Sequence, residues 1–185
     1  MFLSVRMKKT SLLAAALVAA ATLPVYGATP LNSNTATVTL NATLGESLSI
    51  SSTVSSVNLT LVSGGTSAAS SAIPIQTTWV LGTGRTNVKL YGYFGSATAA
   101  LSDGASDNIP SSDVLGSVNT GSYNPFSTVT PYNAAASGLT LFTQAISSTN
   151  WTGNRTDNLT VEVTTPASLP AASYTGTLTL EAQAN

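Results

Sequence analysis

Three acids stand close together in one polar stretch: Asp103, Asp107 and Asp113, with Asn108 between them. Carboxylate and amide oxygens are the hard ligands that calcium takes, so these three aspartates are the candidate metal ligands. Their spacing is not that of an EF-hand loop, and no glutamate closes the stretch. The competing reading is a solvated loop in which Asp and Asn make local turns. Aromatic residues offer a second chemistry. Tyr91 and Tyr93 alternate on one strand-like segment, roughly 7 Å apart, a spacing that can stack against the flat face of a sugar. Trp151, in a turn-like segment, is the third glycan-binding candidate. The competing reading places the two tyrosines as a cover over the second sheet face or beneath residues 95–138. Trp79 continues the Ile75 face and belongs to the core.

Catalysis finds little support. A serine nucleophile needs an activating base, and the chain has no His. Glycoside hydrolysis needs only two acids across a cleft, but Glu46, Glu162 and Glu181 show no pairing pattern. No catalytic residue, cofactor or resident metal is expected, and the protein is read as a non-enzyme.

Residues 1–27 read as a secretory signal peptide. Arg6, Lys8 and Lys9 form a basic start, Leu12 to Leu23 an apolar run, and Val25 and Gly27 the small residues before a cleavage site. The stretch beginning at Met7 is itself a credible start, and the competing reading of the whole segment is an uncleaved anchor. Cleavage would leave Arg85, Lys89 and Arg155 against seven acids. A phosphate footprint needs clustered Lys and Arg, so no nucleic acid is expected as partner, and no membrane after signal cleavage. The expected location is secreted, extracellular or cell-surface, by way of a periplasm. The chain has no Cys, so an exported domain here is held by its core without disulfides.

The elements that must position these residues are strands. Residues 28–34 read as a flexible leader and 35–185 as one domain. Period-two alternation marks strands at 35–44, 46–52, 57–62, 73–81, 87–94, 139–146, 158–164 and 174–183. Gly, Pro, Asn and Ser clusters such as Ser63-Gly64-Gly65 and Thr152-Gly153-Asn154 separate most of them. Residues 95–138 read as a Ser/Gly/Asn-rich insertion, with short strands near 98–101 and 114–118. Leu159, Val161 and Val163 face the set Tyr174, Leu178 and Leu180, through either a terminal hairpin or a crossover between sheets. No sustained helical stripe follows residue 27. The expected fold is all-β: an Ig-like antiparallel β-sandwich of about 8–10 strands.

Two ends of this domain carry a resemblance. The stretch from Thr35 to Ser52, followed by Val57-Asn58-Leu59-Thr60-Leu61, resembles the opening of spore-coat-U-type and archaic chaperone–usher pilin domains of bacteria. The ending Leu169-Pro170-Ala171-Ala172-Ser173-Tyr174-Thr175-Gly176-Thr177-Leu178-Thr179-Leu180 resembles their final strand and its approach. The middle, at 108–118 and 139–142, is similar to short secreted bacterial proteins of unknown function. The resemblance implies a structural or adhesive surface role, with a fimbrial-type subunit as its sharpest form. Residues 35–44 of one copy would then fill an open edge in the next, seating Val38, Leu40 and Leu44 in alternate pockets. Self-association or other surface subunits are the expected partners. Glycans are the partner in the alternative reading, a glycan-binding module.

Overall fold

The computed structural model describes residues 31–185, save the side chains of residues 134–136. The strands are β1 Ser47–Ser52, β2 Thr66–Ala68, β3 Ile73–Val80, β4 Asn87–Phe94, β5 Leu101–Ser102, β6 Asn108–Ile109, β7 Val114–Val118, β8 Asn124–Pro125, β9 Thr128–Thr130, β10 Asn133–Ala145, β11 Thr152–Thr164 and β12 Leu178–Ala184. One sheet runs β1-β3-β11-β7-β8, with β2 also paired to β11. The other runs β12-β4-β10-β9, and β5 and β6 form a small ribbon. Every pairing is antiparallel. The signal-peptide reading and the first residues of the leader lie outside the described residues.

Alternation explains which faces are buried. In β4 Val88, Leu90, Gly92 and Phe94 point into the core, and Lys89, Tyr91 and Tyr93 lie on the other side. Ile75 and Trp79 of β3 and Leu159, Val161 and Val163 of β11 supply the facing layer. This two-sheet arrangement follows directly from strands that each have one apolar face. Asp157 on β11 is 1% exposed. Arg155 donates to it at 2.6 Å and Asn119 at 2.7 Å. The Arg155 guanidinium also lies 4.1 Å from the Phe142 ring centre, so the buried charge is paired and covered.

The structure differs from the expected strands at informative places. Residues 35–44 form no strand, and Val38, Leu40 and Leu44 are 80%, 89% and 84% exposed. Residues 57–62 contribute one isolated bridge, Leu59 to Ala69, instead of a strand. Alternation states a preference, but a strand exists only when its backbone groups find a ladder partner. Between residues 163 and 180 the chain crosses from one sheet to the other: β11 and β12 belong to different sheets. Residues 95–138 supply β5 to β9, with β7 paired along β11.

Candidate functional site

The two long sides of the sandwich are built differently. On one, β8 and β9 lie at the margins of opposite sheets, so the chain steps across the sandwich between Pro125 and Thr128. That step drives Phe126 into the core, where it is fully buried. Gly92 and Gly116, on facing sheets, make room for it: a Cβ on either would lie 3.0 Å from its ring. Phe94 meets the same ring edge-on at 5.2 Å.

The other side has no such plug. The edge strands there are β1 and β12. They come together only near Glu46–Leu48 and Ala182–Ala184, where Arg85 donates to both Glu46 (2.9 Å) and the Ala184 carbonyl (3.1 Å). The hydrogen bond from Arg85, then one from the Gly82 backbone, hold the Glu46 carboxyl down at about 2. Beyond this clasp lies a groove of about 940 Å³, lined by apolar side chains together with Ser, Thr and Asn. Val57, Leu59 and Leu61 form one wall and Tyr174, Leu178 and Leu180 the other. Its floor is the core itself, at Phe94, Val114, Val161 and Val163.

Two details set the groove apart from the rest of the sandwich. All seven residues of β12 are half-buried, whereas the central strand β11 alternates between buried and exposed. Thr165 lines the groove at 4% exposure, and its hydroxyl has no hydrogen-bond partner among the described residues. A buried, unpaired hydroxyl costs on the order of 1–3 kcal/mol. The tyrosine-bearing wall is nevertheless well anchored. Thr175 exchanges two 2.9 Å backbone hydrogen bonds with Ser102. Gly176 passes so close to Ala100 that a Cβ would lie 1.9 Å from its carbonyl oxygen. The groove was not legible from the sequence: its lining is drawn from segments far apart in the chain.

The other candidates are dispersed. Asp103 accepts from the backbone of Ala105 at 2.8 Å and of Asp107 at 3.1 Å, a local turn. Asp113 accepts only a long bond from Ser112. Among the described residues no three His, Cys, Asp or Glu side chains come together to hold a metal ion, so Asp103, Asp107 and Asp113 do not form the calcium cluster considered above. Tyr91 is 6% exposed, with Tyr132 edge-on against it at 5.8 Å, so its face is not free to stack on a sugar. Tyr93 is half-buried, stacked on Tyr132 at 6.0 Å, and donates to Glu181 at 2.9 Å. Burial, then that bond to Glu181, push its phenol above the usual tyrosine value. Trp151 is half-buried against the core in the bend just before β11, a strand of the other sheet. The three aromatic candidates therefore do not share one surface.

Glu46 and Glu181 are engaged as described, with Arg85 and Tyr93. Among the described residues no helix is long and apolar enough to cross a membrane. Comparison with protein-family models and with curated proteins finds no match to this chain.

Proposed function

We propose that the protein is a non-catalytic, exported subunit with an Ig-like sandwich, which assembles by strand complementation. In this reading residues 35–44 of one copy enter the groove of another. The observation that carries it is the pairing of two incomplete parts. One is a groove with apolar side chains in its lining, between edge strands that are not paired in a ladder. The other is a segment with strand alternation, no ladder partner, and Val38, Leu40 and Leu44 exposed.

The physics of the match is direct. An extended segment of ten residues reaches about 33 Å. Its backbone can pair with the outer edge of β12, which lacks a ladder partner among the described residues. Ala36, Val38, Leu40, Ala42 and Leu44 share one face, and the intervening residues are Thr and Asn. That face would cover Leu59, Leu61, Leu178 and Leu180. Filling one copy from another is a head-to-tail contact, which propagates as a filament unless its rotation closes.

Deleting residues 28–44 tests the proposal. The truncated protein should remain folded but stay monomeric by sedimentation where the full chain assembles. Unchanged assembly after that deletion would remove strand exchange from consideration.

A further inference from the structure

A second feature lies on the outer face of the sheet β12-β4-β10-β9, away from the groove residues. Tyr132, in the turn between β9 and β10, touches Tyr91 edge-on and stacks on Tyr93 with ring centres 6.0 Å apart and planes 24° apart. Tyr132 donates to the Ala182 carbonyl at 2.8 Å, and Tyr93 donates to the Glu181 carboxylate at 2.9 Å. Both oxygens belong to neighbouring residues of β12.

Packing alone accounts for such a cluster as a stabilising aromatic pair. The composition around it adds a chemical consequence. Cys and Met are the side chains that usually take up oxidants first. The chain has no Cys, and its two methionines are Met1 and Met7. Residues 31–185 therefore meet an oxidant with Tyr and Trp as their most oxidisable groups. Trp79 is buried at 3% exposure. Tyr93 is half-buried and is the tyrosine whose phenolic proton already points at a carboxylate, so its oxidation has a proton acceptor in place.

We infer that Tyr93 and Tyr132 form an oxidative cross-linking site that joins β4 covalently to the β9–β10 turn. The oxidant class is a peroxide acting through a one-electron peroxidase. Each phenol loses one electron to the peroxidase and its hydroxyl proton, that of Tyr93 to Glu181 and then water, that of Tyr132 to water. The two radicals join through ring carbons ortho to the hydroxyls, forming one carbon–carbon bond. The ortho hydrogens are lost as protons while the phenolic oxygens are reprotonated, restoring both aromatic rings. Overall the pair gives up two electrons and two protons, which reduce one peroxide to two waters. Tyr91 is the poorer partner because it is more buried and meets Tyr132 edge-on.

The test treats the dilute full chain with hydrogen peroxide and a heme peroxidase. Dityrosine fluorescence is followed, and linked peptides are mapped by mass spectrometry. The expected product is an intramolecular Tyr93–Tyr132 link, absent in Tyr93→Phe and Tyr132→Phe and retained in Tyr123→Phe and Tyr174→Phe. The Phe variants keep the ring packing, so loss of the product reports the phenol and not the fold. Glu181→Gln should slow the first-order appearance of the link while leaving its position unchanged. Links found only between molecules through Tyr123 or Tyr174, no dityrosine at all, or an undiminished yield in Tyr132→Phe would each overturn the inference.

Discussion

The side of the sandwich closed by Phe126 and the side left open at the groove solve the same problem with different materials. Each must cover apolar residues where two twisted sheets meet. On the closed side the domain's own chain crosses and supplies the plug, between Gly92 and Gly116. On the open side Leu178 and Leu180 remain half-buried, and the segment that crosses there, residues 165–177, lines the groove and puts no buried aromatic ring into it. The side closed by Phe126 leaves no groove between the sheets among the described residues, whereas the side at β1 and β12 leaves one of about 940 Å³, which is why the proposed strand exchange is directed there.

The largest effect is expected from removing the plug. Phe126→Ala should destabilise the monomer by about 3–5 kcal/mol, as expected for a buried aromatic, measured by urea unfolding. Leu61→Ala, half-buried in the groove wall, should cost the monomer roughly 1 kcal/mol or less. Equal losses at the two positions would mean that the open side is as well packed as the closed one.

The next effect is gained by filling the groove. A peptide of residues 35–44 added to protein lacking residues 28–44 should raise its unfolding free energy, by about 2.7 kcal/mol at a hundredfold excess over Kd. A peptide with Val38 and Leu40 changed to Asp should do nothing at the same concentration. Identical stabilisation by both peptides would show that the groove does not read the alternating apolar face.

A smaller effect is expected at the clasp that joins the open side at its narrow end. The Glu46 carboxyl falls from 4.5 to about 2 because Arg85 and the Gly82 amide hold its charged form. A lowered folded-state value gives stability that is fully present above 4.5 and is lost as pH falls through about 2. Unfolding midpoints measured between these values should decline with acidification, and Glu46→Gln should flatten that decline. The pair is exposed, so salt should weaken it. A slope identical in both proteins would locate the acid sensitivity elsewhere.

The smallest change belongs to the closed side. Asn119 and Thr120 both have positive φ, 52° and 64°, in the turn closed by the Gly121 amide on the Val118 carbonyl. Asn tolerates this region, whereas a β-branched residue is strained there. Thr120→Gly should therefore stabilise by about 0.5–1 kcal/mol after allowing for the greater freedom of Gly in the unfolded chain, seen as a raised thermal midpoint. A lowered midpoint would mean that Thr120 is held by more than its backbone.

Much of the fold was legible because alternation is a local signal. The segment 87–94 was expected and found as β4, and 114–118 as β7. Trp79 was placed in the core from its spacing to Ile75, and both are buried. Very short strands such as β2 and β8 leave no sequence signal, since two or three residues carry no period. The candidate site is not legible in the sequence: the groove is assembled from residues around 59, 114, 161 and 178, whose proximity no local pattern encodes. Val38, Leu40 and Leu44 alternate as a strand would but form none and do not line it.

The all-β character, the alternating faces and a chemistry without His or Cys depend on residue types and near-neighbour spacing, so they can be read along the chain. Which alternating segments find partners depends on the packed fold. Residues 87–94 gained a strand on each side, and residues 35–44 gained none. The reason is physical: a side chain's preference is set locally, but a backbone ladder needs a second strand brought from elsewhere in the chain or from another molecule.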